Sequence, residues 1–595
     1  MRLLTHNNNK IAQVVNITKA KMLPATVPPP QPSPVLPSPS ENLETITKLL
    51  NHLLASTLTI ICFDSRWKVI RSKLASLKSL LFDISDSPHW SENPLFPPLL
   101  PDLLSTLRRI ETLRRHCCDA SCFSRGKLLM QSDLDMAAGW MSKLINDLEL
   151  LLHSGVLHHS TAIVLSRPSP SSSKDELAFF VKDLFTRLQI GGLEFKRKAL
   201  DSLIQILSED DKSAAVVAKE GNVSCLISLL DLHSNNSIRE LAVHAVSLLA
   251  AAGDLPRKCV FEEGALGPLL RTIECSSVTV KEKASMAVEF ITSDTDNAWA
   301  ISAYGGVPIL IELCKSGSLI AQSHAIGTIR NVSVVEDIGV ALAEEDAVPV
   351  LMQLLVTGNA SSQGKAANCI SNLASTSEYF RDLLLQANGL HRLIHLFHEC
   401  PTADTLEHVL RAIYLLSASG TSLRVLSRST QFILQIANNI KHGSVKSQHV
   451  SASLLAKLSI SDVNKTMIAS CMGSLVKLME SIKPEGIQEV CAKALISLLS
   501  MKSNRKELVR DEKSLMRLVH MLDPKNEAVL KKSPVAVVVA IMAGGSKGCR
   551  RRLVAAGVYG HLQRLAETDV AGAKKALHRL SGNMLTSIFS RKWRE

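Results

Sequence analysis

A pattern of small and aliphatic residues recurs nine times in the last two thirds of this chain. The copies follow, with single departures, the pattern small, small, any, small, aliphatic, any, any, aliphatic, and the seventh position recurs every 40 to 43 residues. These seventh positions are Leu248, Phe290, Asn331, Asn372, Leu415, Lys457, Ser497, Val539 and Arg579. A period of this length marks a repeat architecture, in which one unit cannot bury its apolar face alone. The repeat therefore predicts a solenoid of stacked units.

The composition of the chain favours helices over strands. Aromatic residues make up only 4 % of the 595 residues, and apolar residues make up 46 %. The core must therefore consist mainly of Leu, Ile, Val and Ala, which fits stacked helices better than a β-sandwich. Each repeat is predicted to hold a short helix, a turn that ends in Gly, a second helix and a long third helix. The predicted fold class is all-α, with a concave groove along the stack.

Four segments can be distinguished along the chain. Residues 1–42 end in a Pro-rich stretch and are predicted to form a disordered tail, and a targeting function for them stays open. Residues 43–165 carry apolar residues at helical spacing and are predicted to form a helical bundle. Residues 166–174, which include RPSPSSSK, are predicted to be a linker, and residues 175–590 a solenoid of about nine to ten units.

Two parts of the chain resemble known families. The sequence GGVPILIELCKSG with HAIGTIRNVS, followed by DAVPVLMQLLVTG with KAANCISNLAS, is similar to armadillo repeats. This resemblance implies a right-handed armadillo-type α-solenoid. The N-terminal block, with CCDASCFSRGKLLM and AAGWMSKLINDLELLL, resembles the helical domain that precedes the U-box in plant armadillo-containing ubiquitin ligases. The resemblances imply a plant protein of the cytoplasm or the nucleus.

The U-box of those ligases has no counterpart in this sequence. Only the linker at 166–174 stands between the helical block and the repeats. Motifs of hydrolases, metalloproteases and phosphate-binding loops are not found either. We therefore expect a protein that is not an enzyme and that needs no cofactor or metal.

Asparagines on two neighbouring third helices are candidate ligand-binding residues. In armadillo proteins that bind extended peptides, the seventh position often carries Asn, whose amide both donates to and accepts from a peptide backbone. Asn331 and Asn372 keep that residue here, and Asn368 lies one turn before Asn372. A second interpretation stays open, in which these asparagines bond neighbouring carbonyl groups or water.

The position four residues before the seventh is where nuclear-import adaptors present Trp to a basic signal. The residues at this position are His244, Met286, Gly327, Asn368, Arg411, Ser453, Lys493, Val535 and Lys575. None is Trp, and the groove is expected to lack acid there, so we do not expect an import signal as ligand. Basic residues at the two groove positions instead favour an acidic or phosphorylated partner, although they also fit a solvated surface. These basic residues are Arg411, Lys457, Lys493, Lys575 and Arg579.

The sequence thus predicts a non-catalytic scaffold that binds an extended, acidic or phosphorylated segment of a partner protein. The candidate partner-binding residues are His244, Asn331, Asn368, Asn372, Arg411, Lys457, Lys493, Lys575 and Arg579. One alternative is a non-catalytic component of a ubiquitin-ligase complex. Another is a nucleic-acid-associated protein that uses its basic C-terminus, where residues 541–595 hold 11 Lys or Arg and 3 Asp or Glu. We expect a monomer with no transmembrane segment and no small-molecule substrate.

Overall fold

The computed structural model describes residues 38–581, except residues 61, 88–89, 92, 119–125, 154–156, 158–172, 232–234, 400–401 and 545. Most of the predicted tail, most of the linker and residues 582–590 of the predicted solenoid lie outside the described residues. Within them all regular secondary structure is helical, which confirms the predicted all-α class. No helix in this part of the chain is both long enough and apolar enough to cross a membrane. The chain divides into two compact units, Met1–Ala162 and Ile163–Glu595.

The first unit is a bundle in which long amphipathic helices pack in pairs. Helix α1 packs against α3, α2 packs against α4, and α3 also contacts α4. Their apolar stripes form the core, in which Trp67 is fully buried. The helices are α1 Pro39–Ser56, α2 Asp64–Ser85, α3 Leu99–Cys118 and α4 Lys127–His153.

The predicted tail at residues 1–42 is wrong at its C-terminal end, because α1 already begins at Pro39. Ser38 Oγ accepts a hydrogen bond from the backbone N–H of Glu41 at 3.2 Å. The Glu41 carboxylate in turn accepts from the backbone N–H of Ser38 at 2.8 Å. This capping box satisfies donors that the first turn leaves free, and Pro39 fits the first helical position. The last residues of the Pro-rich stretch therefore start a helix.

Glu111 of α3 is a buried carboxylate held by two arginines. The Arg114 guanidinium donates to both of its oxygens at 2.8 Å, and Arg115 Nε donates at 3.0 Å. The hydrogen bonds from Arg114, helped by Arg115, lower the pKa of Glu111 from 4.5 to about 2 against the opposing effect of burial.

The low pKa of Glu111 predicts a loss of stability in acid. A carboxyl whose pKa is lowered by folding stabilises the protein above its unfolded pKa, and this contribution disappears as the pH falls through the folded pKa. We expect the free energy of unfolding to fall more steeply from pH 4.5 to pH 2 in the wild type than in Glu111→Gln. Urea unfolding followed by circular dichroism measures this slope. The exposed Glu149→Gln is the control, and equal slopes in all three proteins would contradict the prediction.

The second unit is a stack in which helices repeat in groups of three. It begins with α5 Lys174–Ile190 and α6 Leu193–Glu209, and nine groups follow within the described residues. The first helices are α7 Asp211–Glu220, α10 Asp254–Glu262, α13 Ala298–Ala303, α16 Glu336–Glu344, α19 Glu378–Gln386, α22 Gly420–Arg428, α25 Asp462–Met467, α28 Lys502–Arg510 and α31 Lys547–Ala555. The second helices are α8 Val223–Ser228, α11 Leu266–Cys275, α14 Gly306–Ser316, α17 Ala347–Thr357, α20 Gly389–Glu399, α23 Thr430–His442, α26 Met472–Leu478, α29 Glu512–Leu522 and α32 Val558–Glu567. The third helices are α9 Asn236–Ala251, α12 Val278–Ile291, α15 Leu319–Val332, α18 Ala360–Thr376, α21 Ala403–Leu416, α24 Val445–Lys457, α27 Ile487–Leu498, α30 Lys532–Ile541 and α33 Ala573–Ser581.

Neighbouring groups bury their apolar faces against each other. Successive third helices pack from α9 to α33, and successive second helices pack from α11 to α32. One hydrophobic core runs without interruption from Phe180 to Leu580. Small residues allow the third helices to approach closely, and all of the following are fully buried: Ala242, Ala284, Ala325, Ala366 and Ala494. The packing confirms the predicted α-solenoid.

The turn between first and second helices explains the recurring Gly in the sequence. The backbone enters the left-handed region at this turn in five repeats, at Gly264, Gly305, Asp346, Asn388 and Gly557. Glycine adopts this conformation without the steric cost of a Cβ atom, and Asn and Asp tolerate it better than other residues. At this turn the chain changes direction between the first and the second helix. The third helix of each repeat then packs against the third helices of the neighbouring repeats.

Candidate partner-binding face

All of the predicted groove residues lie on third helices. Because these helices pack side by side, their outward positions share one surface, which we call the third-helix face. The exposed candidates on it are Arg411, Lys457, Lys493 and Lys575. The half-buried candidates are His244, Asn331, Asn368, Asn372 and Arg579.

The amide of Asn331 is engaged within the solenoid. Its Nδ2 donates to the backbone oxygen of Glu289 at 2.9 Å and to Thr292 Oγ1 at 3.3 Å, both at the end of the preceding third helix. Its Oδ1 accepts from Arg330 Nη2 at 2.7 Å. Both the donating and the accepting group of Asn331 therefore already have partners.

Asn372 repeats this arrangement one unit later. Its Nδ2 donates to the backbone oxygen of Arg330 at 3.2 Å and to Ser333 Oγ at 3.1 Å. In both cases the accepting carbonyl lies 42 residues earlier in the chain. The carbonyl groups of a last helical turn lack intrahelical backbone donors, and each of these two accepts from the asparagine and from the hydroxyl of Thr292 or Ser333. This geometry corresponds to the second interpretation from the sequence, in which the asparagines bond neighbouring carbonyl groups.

Replacing Asn331 and Asn372 by alanine is expected to destabilise the protein. Each change removes a donor from a carbonyl and from a hydroxyl, which costs about 1–3 kcal/mol per site. Urea unfolding of the two variants measures the cost. Asn368→Ala is the control, because Asn368 lies on the same face and makes no side-chain hydrogen bond within the described residues. Alanine variants at Asn331 and Asn372 that unfold like this control would show that the bonds are unimportant.

Four ionisable side chains that the sequence did not single out meet beside Asn331. The Glu289 carboxylate lies 2.8 Å from Lys365 Nζ and 2.8 Å from His324 Nδ1, with Arg330 Nη2 at 3.6 Å. We call Glu289, His324, Arg330 and Lys365 the Glu289 cluster. Its members come from α12, α15 and α18, so the cluster connects three successive third helices.

Gly327 provides the space that the Glu289 side chain occupies. A Cβ atom at Gly327 would lie 2.0 Å from Glu289 Oε1, so no other residue fits without moving the carboxylate. The expectation that the groove lacks acid at this position is therefore wrong in this repeat. No acidic residue stands at the position itself, but the missing side chain of Gly327 lets Glu289 reach it from the neighbouring helix.

The charges of the Glu289 cluster do not cancel. Burial raises the pKa of Glu289, but hydrogen bonds from His324 and Lys365 outweigh burial and leave the pKa below its ordinary value. The ionised carboxylate thus faces the two permanent cations Lys365 and Arg330. The cluster carries an excess of positive charge near the middle of the third-helix face.

His244 differs from the other candidates in its charge. Burial, and to a lesser extent the nearby Lys283, lower the pKa of His244. A histidine with a lowered pKa is neutral at neutral pH, so His244 offers a hydrogen-bonding ring rather than a positive charge.

Two further basic candidates are fixed by the preceding repeat. Lys457 Nζ lies 3.9 Å from the centre of the Tyr414 ring, which is a cation–π contact. Arg579 Nη1 donates to the backbone oxygen of Val539 at 3.0 Å. Neither contact neutralises the cation, so both charges remain available to a ligand.

Three exposed cations complete the third-helix face in its C-terminal half. Arg411, Lys493 and Lys575 stand on α21, α27 and α33 and form no ion pair within the described residues. Solvent-exposed cations that are not held in ion pairs attract anions over about one Debye length, which is roughly 10 Å. The structure therefore places cations outside ion pairs on the alternate third helices α21, α27 and α33, although Glu407 and Glu489 lie four residues before Arg411 and Lys493. In the described part of the chain, no group of His, Cys, Asp and Glu side chains is arranged to hold a metal ion.

Comparison with known proteins gives a sequence family for the first unit and structural matches for part of the chain. Residues 44–156 match a family described as "Domain of unknown function (DUF7032)". No curated protein matches the chain. Among solved structures, the crystal structure of an engineered protein is 22 % identical, covers 67 % of this chain and 97 % of its own, and has a TM-score of 0.55.

Designed armadillo repeat proteins also match, over a shorter part of the chain. Two of them, one in complex with the peptide (KR)4, are 23 % identical and have a TM-score of 0.37. Each covers 40 % of this chain and 99 % of its own length. At 22 % identity and a TM-score of 0.55, the engineered protein is similar to this chain in fold alone. The three-helix groups, the left-handed turn and the adjacent third helices described above make the second unit an armadillo-like helical repeat.

Proposed function

We propose that the solenoid is a non-catalytic scaffold that binds an extended, acidic or phosphorylated segment of a partner protein along the third-helix face. The observation that carries this proposal is the set of exposed cations without acidic partners, Arg411, Lys493 and Lys575. They recur on third helices of different repeats. An extended chain laid across the stack would meet them in turn.

The arrangement favours an extended ligand over a compact one. Stacked repeats present a long surface to which each unit contributes a similar position. Charged side chains at such a surface mainly set the choice of partner and the rate of association. The proposal relies on the cations rather than on Asn331 and Asn372, because the amides of these asparagines are engaged inside the stack.

Fluorescence polarisation with the full chain tests the proposal. The probes are an extended peptide of alternating Glu and Ala and, as its charge opposite, the basic peptide (KR)4. We expect the acidic peptide to bind, more weakly as salt rises, and (KR)4 not to bind. The triple variant Arg411→Gln, Lys493→Gln, Lys575→Gln should bind the acidic peptide about tenfold or more weakly, at roughly 0.5–1 kcal/mol per exposed charge.

The matched control changes three exposed lysines on first helices, Lys212→Gln, Lys219→Gln and Lys258→Gln. This control has the same loss of net charge but leaves the third-helix face intact. It should bind the acidic peptide nearly as well as the wild type. Equal weakening in both triple variants would show that net charge alone attracts the peptide, and binding of (KR)4 would contradict the proposed charge preference.

The two alternatives from the sequence gain no support from the site. The ubiquitin-ligase alternative depends on the first unit, whose matched family has no described function. The nucleic-acid alternative depends partly on residues 582–595, which lie outside the described residues. A ubiquitylation assay with partner ligase subunits and a salt-dependent DNA-binding assay would test them.

A further inference from the structure

We propose that a cleft beside the third-helix face binds a phosphate group carried by the partner segment. The inference rests on the proposed function, since the segment that delivers the phosphate is the one bound along that face. The cleft has a volume of about 840 Å³ and lies where α22 meets the end of α24 and residues 458–461. Its basic lining residues are Arg424, Arg428, Lys457 and Lys465, and no acidic residue of the described part of the chain lines it.

The walls of the cleft are connected and well packed. The backbone N–H of Ser459 donates to Ser427 Oγ at 3.1 Å, which joins the segment after α24 to α22. Leu458 and Ile460 on either side of Ser459 are buried in the solenoid core. The cations therefore stand on a backbone that the fold holds in place.

Three of the four cations have no carboxylate partner within the described residues. Lys465 pairs with Asp462 at 3.2 Å. Among the residues that the structure describes, exposed Arg424 contacts only the backbone oxygen of Gly420 in its own helix, at 3.4 Å, and exposed Arg428 forms no ion pair. Lys457 is held over an aromatic ring rather than beside an acid.

The spacing of the arginines suits a phosphate group. Arg424 and Arg428 are four residues apart on α22, so their side chains lie on the same side of the helix. Each planar guanidinium can donate two hydrogen bonds to two oxygens of one phosphate. A phosphorylated side chain has three terminal oxygens and nearly two negative charges, more than one carboxylate offers to three cations. The lining thus matches a phosphate better than an acidic side chain.

Two residues of the third-helix face belong to the lining of the cleft. Lys457 and Ser497 both line it, and they are the seventh-position residues of the successive third helices α24 and α27. A segment that crosses the face between Arg411 on α21 and Lys493 on α27 therefore passes the mouth of the cleft. A phosphorylated residue in that segment could place its phosphate between Lys457 and the arginines of α22.

The test compares two peptides that differ only in one phosphate. The probes are the peptide of alternating Glu and Ala with a central phosphothreonine and the same peptide with a central threonine. By fluorescence polarisation with the full chain, we expect the phosphopeptide to bind about tenfold or more tightly. Arg424→Gln with Arg428→Gln should remove this difference and leave the affinity for the unphosphorylated peptide unchanged.

The matched control is Lys506→Gln with Arg510→Gln on α28. These exposed cations have the same spacing on a first helix of the same length, but they do not line the cleft. The control should keep the preference for phosphate. Thermal unfolding followed by circular dichroism checks that all variants are folded.

The outcomes distinguish the proposal about the cleft from the proposal about the third-helix face. A wild type without preference for phosphate, or a preference that survives in the arginine variant, overturns the cleft proposal and leaves the face untouched. If only the phosphopeptide binds and the arginine variant abolishes binding, the cleft proposal is supported and the face proposal fails. Inorganic phosphate should compete only far above the phosphopeptide concentration, and competition at equal concentration would show a small-anion site instead.

Discussion

Replacing Asp183 by alanine is expected to destabilise the solenoid by about 3–5 kcal/mol, because it removes a buried carboxylate that is paired with a buried guanidinium. Asp183 and Arg187 lie one turn apart in α5, with Arg187 Nε 2.7 Å from Asp183 Oδ2. Their side chains are only 1 % and 4 % exposed. Urea unfolding of the full chain, followed by circular dichroism, measures the change in the free energy of unfolding.

An exposed ion pair on the next helix is the control for Asp183. Arg197 Nη2 lies 3.0 Å from Glu194 Oε1 on α6, and both side chains are more than half exposed. Glu194→Ala should lower the free energy of unfolding far less than Asp183→Ala, since water screens such an exposed pair. A loss in Asp183→Ala no larger than in Glu194→Ala would contradict the expectation.

Replacing Glu289 by glutamine is expected to cost about 2–4 kcal/mol, slightly less than a fully buried pair because the cations keep some contact with water. The Glu289 side chain is 12 % exposed and that of Lys365 is 17 % exposed. Glutamine keeps the shape but removes the charge that Lys365 and Arg330 share. Because folding lowers the pKa of Glu289, its contribution is present above the ordinary value of 4.5 and is lost as the pH falls through the lowered pKa. The difference between wild type and Glu289→Gln in urea unfolding should therefore shrink in acid.

A double-mutant cycle with Gly327 checks the cause. Gly327→Ala should destabilise the wild type, because the added Cβ atom displaces the Glu289 carboxylate from its partners. The same change should cost much less in a Glu289→Ala background, where the carboxylate is gone. Equal costs in both backgrounds would show that Gly327 is needed for a reason other than Glu289.

The fold could be predicted because the period of the repeat is visible in the amino-acid sequence. Each third helix buries small residues such as Ala284 and Ala325 against its neighbours, so selection for burial repeats every 40 to 43 residues. The boundary of the first helix was harder to place. The capping pair of Ser38 and Glu41 was hidden at the end of a Pro-rich stretch, where composition suggested disorder.

The site could be predicted only in part. Exposure of Arg411, Lys493 and Lys575 follows from their position on the third helices. The Glu289 cluster could not be predicted, because Glu289 and Lys365 are 76 residues apart in the sequence. Their side chains come into contact where the missing side chain of Gly327 leaves space for the Glu289 carboxylate.

The role of the asparagines could not be read from the sequence either. An amide at the seventh position serves a ligand or a neighbouring carbonyl equally well, and the distance between adjacent third helices decides between them. The cleft beside α22 depends in the same way on which first helix stands next to Lys457.

The hydrogen bonds of Asn331, Asn372 and Arg579 all point in one direction along the chain, from a later repeat to a carbonyl of an earlier one. During synthesis on the ribosome, these side chains emerge when their acceptors have already been made. A nascent chain can thus add one repeat at a time onto a finished template. Removing the repeats that precede α15, α18 or α33 should therefore leave the side-chain donors of Asn331, Asn372 and Arg579 without their acceptors.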